Sequence, residues 1–252
     1  MGSTKAVFIT GTSNIVVPGN KLTYPPAFHG KSRLRYYSSF FNSLEINSSF
    51  YKIPMASTFE KWAQDVPGDF RFSVKIPKEV THAKELKGDI GAIEKLMNAA
   101  DKIGDKKGCL LLQFPGKITV DYFNDVENIL DKIRQSDKRN EWKIAVEFRH
   151  ASWYMAETFE LMDDYHASVV LHDIPKGKNS ELGKSAGFVF IRFHGPAGDY
   201  RGSYSKEQLK AYAIKIKSWL KQGKDVYAYF NNTMGSAFEN AIDLQAMIKN
   251  KR

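Results

Sequence analysis

Cysteine is nearly absent from this sequence, because Cys109 is the only one among 252 residues. A single cysteine excludes an intramolecular disulfide framework and favours a reducing compartment. The N-terminal segment has no basic region followed by a long apolar stretch, so we expect no secretory signal there. No window approaches the roughly 18 consecutive apolar residues that a bilayer-spanning helix needs. We therefore expect a cytoplasmic protein with no membrane-spanning segment.

Several motifs of catalysis and nucleotide binding are also missing. No G-x-G-x-x-G follows the first predicted strand, which removes the commonest dinucleotide-binding fold. The chain has no P-loop, no G-x-S-x-G elbow and no H-E-x-x-H zinc motif. We assign no metal ligands and predict no cofactor. One alternative stays open, in which His150, His172 and His194, each at a strand end, bind a divalent metal with neighbouring carboxylates.

Negative charge is in short supply, since 28 acidic residues face 37 lysines and arginines, for a net charge of +9. A basic chain suits nucleic acid or other anionic partners. Many of the lysines, however, lie on "SKEQLKAYAIKIKSWLKQGK", on the outer face of a predicted helix. That placement favours a solvated surface, and no arginine-rich arm is present. A non-catalytic module that binds nucleic acid therefore remains an alternative function.

Eight strand-like segments alternate with helix-like segments along the chain. The strands cover residues 6–13, 42–50, 70–77, 108–115, 143–150, 167–174, 188–195 and 225–233. This rhythm over about 250 residues predicts a (β/α)8 TIM-type barrel, with residues 1–252 as a single domain. An open doubly wound sheet is the alternative. The segment "PKGKNSELGKSAG" after the sixth strand is too polar and glycine-rich for a helix, which predicts a degenerate sixth βα unit.

Three helix starts carry the pattern of a capping box, in which a serine is followed three residues later by glutamate or glutamine. Such a pair satisfies two backbone donors that a helix start leaves unpaired. The pairs are Ser57 with Glu60, Ser205 with Gln208, and Ser236 with Glu239. We expect a helix to begin at each serine.

The strand "KIAVEFRHASWY" begins apolar and ends charged on one face. Barrel strands alternate between the interior and the helix layer. We expect Val146 and Phe148 to face the helices, and Ala145, Glu147 and Arg149 to face inward. The same alternation turns inward Glu45, Asn47, Ser73, Lys75, Gln113, Arg192, His194, Tyr229 and Asn231. Barrel enzymes build their sites at the C-terminal strand ends, so these side chains predict a polar pocket there; the facing of His172 and Asp173 stays open.

The predicted pocket contains more cations than anions. Lys75, Arg149 and Arg192 face Glu45 and Glu147, which favours an anionic ligand such as a phosphate or a carboxylate. We predict an enzyme that acts on a phosphate-bearing small molecule or nucleic-acid component. On this hypothesis the three cations hold the anion, so Arg149→Met or Arg192→Met should abolish ligand binding and leave the barrel folded.

Acid–base chemistry of a hydrolase type is the expected reaction class. Glu147 or Glu45 would be the general acid or base, and His194 a second proton carrier. Two alternatives stay open. The two glutamates could form the carboxylate pair of a carbohydrate-active barrel, or the charges could neutralise one another as a structural polar plug. Cys109 begins its strand, at the end remote from the site, and is interpreted as core.

The loop "FHGPAGDYRGSYSKEQL" after the seventh strand has three glycines before a helix cap. In barrels this region often holds phosphate through backbone N–H groups. A plain long connection is the alternative, and the sequence does not decide between them.

Six stretches together match a known family pattern. They are "FNSLEINSSFYKIP", "TFEKWAQDVPGDFRFSVKIPKEVTH", "LLLQFP", "VEFRHASWY", "RFHGPAGDYRGSYS" and "DVYAYFNNTMGSAFENA". Taken jointly they resemble the domain-of-unknown-function-72 family, the YecE-like proteins, over about residues 7–248. The resemblance implies a TIM-type barrel in a bacterial-style cytosolic protein and supplies no established reaction.

The resemblance also implies a set of site residues. The motif positions are Glu45, Asn47, Phe50, Tyr51, Lys75, His82, Gln113, Glu147, Arg149, His150, Trp153, Arg192, His194, Gly195, Tyr200, Tyr204, Tyr229, Asn231 and Asn232. From these we expect substrate contacts by Lys75, Gln113, Arg149, His150, Arg192, Tyr200, Tyr204, Tyr229, Asn231 and Asn47. The chain departs from the pattern at "NIVVPGNKLTYPP", at Thr233 and at Ser236, which puts a shared substrate in question.

Overall fold

The computed structural model describes residues 6–179, 181–183 and 186–249. Its strands are β1 (Phe8–Thr12), β2 (Ser43–Ile46), β3 (Arg71–Lys75), β4 (Lys107–Phe114), β5 (Lys143–Phe148), β6 (Ala167–Val169), β7 (Leu171–His172), β8 (Phe188–Phe193) and β9 (Asp225–Phe230). Its α-helices are α1 (Arg33–Tyr37), α2 (Ala56–Gln64), α3 (Lys78–Thr81), α4 (Gly91–Ala100), α5 (Phe123–Ser136), α6 (Ala156–Asp164), α7 (Lys206–Lys221) and α8 (Ala237–Lys249).

The strands close into a barrel through two parallel sheets, ordered β1-β9-β8-β7 and β2-β3-β4-β5-β6. At one seam, β6 and β7 are halves of a single strand interrupted at Val170, whose N–H donates to the carbonyl of Val146 at 2.8 Å. At the other seam, a parallel bridge joins Ser13 to Glu45. Eight strand positions thus surround one interior, and the predicted (β/α)8 barrel is confirmed.

The alternation of side chains along each strand fills both sides of the barrel wall. Val146 and Phe148 belong to the apolar layer between the strands and the helices. The residues that point inward form a second apolar cluster, which includes Cys109, Leu111 and Ala145. This cluster packs the lower barrel, so the interior is a core and not a channel. Cys109 is fully buried in it, as the sequence indicated.

The sixth βα unit lacks an α-helix in the residues that the structure describes between β7 and β8. The connection contains a short 3-10 turn, Pro175–Gly177, within the described residues 173–179, 181–183 and 186–187. The predicted degenerate unit is therefore confirmed. Its polar, glycine-rich composition offers no apolar stripe to bury against the strands.

Two of the three predicted helix starts agree with the structure. Helix α7 begins after Ser205 with a complete capping box to Gln208, and α8 begins at Ala237, directly after Ser236. The prediction for Ser57 is wrong, because α2 begins at Ala56 and Ser57 lies within its first turn. The carbonyl of Met55 already accepts hydrogen bonds from the N–H groups of Thr58 and Phe59, so the helix starts before the serine.

This difference between two serines can be tested by unfolding in urea. Ser205→Ala is expected to lower the free energy of unfolding by about 1 kcal/mol, because an N-cap side chain is lost. Ser57→Ala is the matched control, since Ser57 is exposed inside a helix and makes no cap. Equal losses in the two variants would contradict the capping role of Ser205.

Candidate functional site

Arg192 lies between Glu45 and Glu147 inside the barrel, near the C-terminal strand ends. Its Nε donates to Glu45 Oε2 at 2.9 Å, and its Nη2 donates to Glu45 Oε1 at 2.8 Å. Its Nη1 donates to Glu147 Oε2 at 2.6 Å. The side chain of Arg192 is 1% exposed and both carboxylates are 0% exposed. Strands β2, β5 and β8 thus present one buried, fully paired charge cluster.

Both glutamates are held in the anionic form. Burial alone would raise the pKa of Glu45, but the charge of Arg192 and a hydrogen bond from Ser13 outweigh burial and lower that pKa. Burial likewise opposes ionisation of Glu147, yet the charges of Arg192 and Arg149 hold its pKa well below the ordinary value. A general acid at neutral pH needs a raised pKa. Neither carboxyl group therefore suits the role of general acid.

Arg149 follows the end of β5 and shares Glu147 with Arg192. Its Nε donates to Glu147 Oε1 at 2.7 Å, and its Nη1 donates to the Tyr200 hydroxyl at 2.7 Å. Its side chain is 20% exposed, in contrast to the sealed Arg192. Tyr200 holds this contact from a left-handed backbone conformation (φ 69°), which is uncommon for a tyrosine. Arg149 is therefore the guanidinium that a ligand could reach.

Lys75, the last residue of β3, is a nearly buried cation, 9% exposed. Its Nζ donates to Gln113 Oε1 at 2.9 Å and lies 4.1 Å from the centroid of the Phe50 ring. No carboxylate in the described residues lies within 4.0 Å of this ammonium group. Burial and then the charge of Arg192 lower the pKa of Lys75 to about 8. At pH 7 most of the amine is therefore still protonated, and roughly a tenth of it is in the neutral form.

The pKa of His82 is lowered by burial and by neighbouring cations, among them Lys75. Burial and the charges of Lys75, Arg149 and Lys117 lower its pKa to about 4. Its ring packs edge-on against Phe50, with the centroids 4.8 Å apart. The imidazole is therefore neutral over the physiological range. This side of the mouth carries cationic charge that the glutamates do not fully balance.

His194 and Asp173 form a second polar group at the end of β8. The backbone N–H of His194 donates to Asp173 Oδ1 at 2.9 Å, and the Tyr204 hydroxyl donates to Asp173 Oδ2. The same Tyr204 hydroxyl accepts from the Gly195 N–H at 2.7 Å. His194 Nε2 lies 3.8 Å from Glu147 Oε1, and burial lowers the pKa of the imidazole. His194 has no exposed surface, and its role as a second proton carrier stays a prediction.

The sequence left open which way His172 and Asp173 face, and the structure gives them different partners. Asp173 joins the group around His194. His172 instead has its Nε2 within 2.9 Å of the Phe148 carbonyl and 3.2 Å of the Tyr154 hydroxyl. The His172 ring is therefore held by a backbone carbonyl and by a tyrosine hydroxyl.

Tyr229 belongs to the inward-facing apolar cluster of the barrel and pairs in register with Arg192. Its hydroxyl is 2.5 Å from Ser43 Oγ and 2.8 Å from Ser73 Oγ, and its side chain is fully buried. Burial raises its pKa well above the ordinary value, so it remains protonated. Tyr229 has no exposed surface, and its expected contact with substrate stays a prediction.

Three more residues were expected to contact substrate, and the structure gives each a different environment. His150 Nδ1 accepts from the Ser152 N–H at 3.2 Å and caps the turn Ala151–Trp153. Asn47 donates from Nδ2 to Glu45 Oε1 at 3.0 Å, which supports the glutamate. Asn231 is half-buried just after β9. The structure thus brings Glu45, Glu147, Arg149, Arg192, Lys75 and Gln113 together, and gives His150 a local role.

Some members of the site were not singled out by strand alternation. Ser13 donates to Glu45 Oε1 at 2.6 Å, and counting by twos from the inward Ile9 would have turned it inward. Asn14 opens the segment that departs from the family pattern, and its Oδ1 accepts from the Asn47 N–H at 3.3 Å. The start of that segment therefore lies beside the residues that support Glu45.

The loop after β8 uses its backbone donors internally. The Tyr200 N–H donates to the His194 carbonyl at 2.6 Å, and the Gly198 N–H donates to the Gly195 carbonyl at 2.8 Å. Gly195, at φ 99°, has no room for a Cβ atom, which would lie 2.2 Å from the Arg201 carbonyl oxygen. These contacts favour a plain connection that positions Tyr200 and Tyr204, over a backbone cradle for phosphate.

The residues that the structure describes contain neither a metal-binding cluster nor a membrane-spanning helix. Residues 6–179, 181–183 and 186–249 contain no group of three or more His, Cys, Asp or Glu side chains arranged to hold a metal ion. None of the helices in those ranges is long and apolar enough to cross a membrane.

The whole length of the barrel matches one protein family. A family model described as "Protein of unknown function DUF72" matches residues 10–252. The UPF0759 protein YunF of Bacillus subtilis (strain 168) is 25% identical, in a match that covers 84% of this chain and 84% of that protein.

Two solved structures share the fold. A DUF72 family protein from Enterococcus faecalis V583 superposes with a TM-score of 0.78 at 21% identity, covering 98% of this chain and 97% of that one. A DUF72 family protein from Thermotoga maritima MSB8 superposes with a TM-score of 0.76 at 27% identity, covering 96% and 99%. Because the family match extends over nearly all of its residues, this chain belongs to the DUF72 family.

Proposed function

We propose that this protein is an enzyme that binds an anionic, phosphate-bearing small molecule at the C-terminal barrel mouth. The observation that carries the proposal is the ammonium group of Lys75, which is nearly buried and has no carboxylate partner among the described residues. An unpaired buried charge costs several kcal/mol. A bound anion would remove that cost, and the lowered pKa of His82 indicates a positive potential on this side of the mouth.

Arg149 is the second ligand-binding group in this proposal. It projects a partly exposed guanidinium edge, and Tyr200 fixes its orientation. A planar fork of donors suits a phosphate oxygen pair. Lys75 and Arg149 would therefore hold the anion between β3 and β5.

Arg192 takes a different role from the one that the sequence suggested. Its Nε, Nη1 and Nη2 all donate to carboxylates, and its side chain is 1% exposed. An anion could reach it only by displacing Glu45 or Glu147. We assign Arg192 to holding the mouth together, while Lys75 and Arg149 contact the ligand.

Proton transfer is best assigned to Lys75. The pKa values of Glu45 and Glu147 are lowered, so both are poor acids and weak bases near neutrality. The amine of Lys75, with a pKa of about 8, can take or give a proton close to physiological pH. In this proposal Glu147 orients Arg149, and Lys75 is the general acid or base.

The geometry disfavours carbohydrate chemistry by paired glutamates. Glycoside hydrolysis needs space for a sugar between two carboxyl groups, one of which has a raised pKa. Here the guanidinium of Arg192 occupies the space between Glu45 and Glu147. Both carboxyl groups also have lowered pKa values.

A thermal-shift screen at pH 7 against inorganic phosphate and phosphate-bearing metabolites tests the anion site. A ligand at 100 times its dissociation constant adds about 2.7 kcal/mol of stability. For a chain of this size that gain raises the melting temperature by about 5–10 °C. Lys75→Met and Arg149→Met are expected to abolish the shift, and the exposed neighbour Lys78→Met is expected to keep it.

Two outcomes would count against this proposal. A shift that survives both Lys75→Met and Arg149→Met would place the anion elsewhere. Nucleic-acid binding that falls steeply with salt and is unaffected by Lys75→Met would favour the surface-binding alternative. The proposal also implies that anion affinity weakens as pH rises through the pKa of Lys75, because the ammonium loses its charge.

A further inference from the structure

The amine of Lys75 has an environment suited to more than charge pairing. Its one side-chain hydrogen bond recorded in the described residues goes to a neutral acceptor, Gln113 Oε1 at 2.9 Å. One side of the amine faces the Phe50 ring at 4.1 Å, and the His82 ring packs on the same aromatic group. Buried lysines of this kind lose their proton readily and become nucleophiles.

We propose that Lys75 is a nucleophile that forms an imine with a carbonyl group of the anionic substrate. The inference rests on the proposed function, because Arg149 must hold the anionic group while Lys75 reaches the carbonyl carbon. It names the substrate class as a small phosphate-bearing aldehyde or ketone.

The chemistry needs no oxidant, reductant or further reactant. The ammonium first gives one proton to solvent. The neutral amine then forms a bond to the carbonyl carbon, the C=O π electrons move to oxygen, and a proton passes from the nitrogen to that oxygen. The hydroxyl group of the resulting carbinolamine takes up one proton from solvent and leaves as water, while the nitrogen lone pair forms the C=N bond of a protonated imine. A protonated imine withdraws electrons and eases removal of a proton or a carbon group from the adjacent carbon.

Neighbouring groups favour each stage of this reaction. Burial and the nearby Arg192 charge lower the pKa of Lys75 to about 8, which supplies neutral amine near physiological pH. Gln113 Oε1 holds the nitrogen in place at 2.9 Å without neutralising it, as a carboxylate would. The face of the Phe50 ring, against which His82 packs, covers one side of the nitrogen and limits the water that would hydrolyse the imine.

The other buried polar groups do not compete for this role. Cys109 lies in the apolar lower barrel, and burial strongly raises the pKa of its thiol. Tyr229 is fully buried, and burial raises the pKa of its hydroxyl well above the ordinary value. Of these buried groups, Lys75 combines nucleophilic character with a position at the mouth.

The experiment uses pyridoxal 5′-phosphate as a probe, because it carries both an aldehyde and a phosphate. The folded full-length protein is mixed with the probe at pH 8, reduced with borohydride, and mapped by peptide mass spectrometry. Borohydride delivers hydride to the imine carbon, and the product is a stable secondary amine. We expect Lys75 to be labelled at least about tenfold faster than the exposed Lys78.

The matched variant is Lys75→Arg, which keeps a cation and cannot form an imine. It is expected to lose the label at residue 75 while still giving a thermal shift with inorganic phosphate. Lys78→Arg is expected to leave labelling of Lys75 unchanged. Pyridoxine 5′-phosphate, which has an alcohol in place of the aldehyde, should compete with the probe and slow labelling of Lys75.

The outcomes separate this inference from the proposed function. Thermal shifts with phosphate and pyridoxine 5′-phosphate, but no label on Lys75, would overturn the nucleophile and leave the anion site. No shift and no label would overturn both. Labelling of Lys75 that pyridoxal without phosphate matches, and that pyridoxine 5′-phosphate does not slow, would support the nucleophile and overturn the anion site.

Discussion

Replacing Arg192 with methionine is expected to lower the free energy of unfolding by about 3–5 kcal/mol, as measured by urea denaturation at pH 7. The loss follows from what the variant leaves behind. Glu147 keeps Arg149 as a partner, but Glu45 keeps only hydrogen bonds from Ser13 and Asn47. An uncompensated carboxylate with no exposed surface is far from water, so its charge is costly.

A second substitution tests whether this unpaired charge is the cause. Arg192→Met with Glu45→Gln is expected to recover a large part of the lost stability, because the neutral amide needs no counter-ion. Arg149→Met is a control for the loss of one guanidinium, and its cost should be smaller because that side chain is 20% exposed. If Arg192→Met were as stable as the wild type, the predicted loss would be wrong. The attraction between Arg192 and the two glutamates would then only offset the cost of burying these three charges.

The direction of the pH effect also follows from the structure. The pKa values of Glu45 and Glu147 are lowered in the folded protein. Their contribution is therefore complete above the unfolded pKa of about 4.3 and is lost as pH falls through the folded values. The stability difference between wild type and Arg192→Met should shrink in that acid window.

The barrel and the inward register could be predicted from local patterns. Strand alternation turned Glu45, Glu147 and Arg192 toward one another, because a period of two assigns each side chain to one side of the barrel wall. Alternation does not predict which of the inward cations pairs with the two glutamates. The choice of which cation takes both carboxylates depends on strand stagger and side-chain reach, and no local pattern encodes these.

Contacts made by loops were the least predictable part of the site. Asp173 receives the Tyr204 hydroxyl across 31 positions of sequence. The start of α2 differs from the prediction for a similar reason. The helix begins at Ala56 with Met55 as its N-cap residue, before Ser57 is reached. In both cases the deciding interaction is set by backbone geometry, which residue type alone does not specify.

The mouth has two kinds of cation with different consequences for stability. Arg192 is saturated by carboxylates, so its removal should cost stability. Lys75 lacks such a partner, and its lowered pKa means that folding opposes its charge. A residue that destabilises the free protein is expected where a ligand or a reaction benefits from it.

This cost of Lys75 can be measured through the pH dependence of stability. Its pKa falls from an ordinary 10.5 to about 8 on folding, so the unfolded chain binds more protons between these values. The stability of the wild type should therefore rise with pH across that window. Lys75→Met lacks the titrating amine, so this contribution to the rise is absent from the variant. From pH 7 to pH 10 the wild type is expected to gain about 1–3 kcal/mol relative to the variant.

Comparing the two proteins at both pH values removes effects that do not depend on Lys75. The broken hydrogen bond to Gln113 shifts the variant by an amount that is the same at each pH, so it cancels from the change. Lys78→Met serves as the control, because Lys78 is exposed on the following helix and should show no comparable gain. A difference between wild type and Lys75→Met that stays constant from pH 7 to pH 10 would mean that Lys75 keeps its ordinary proton affinity. The amine would then lack the neutral form that both its proton-transfer role and its attack on a carbonyl require.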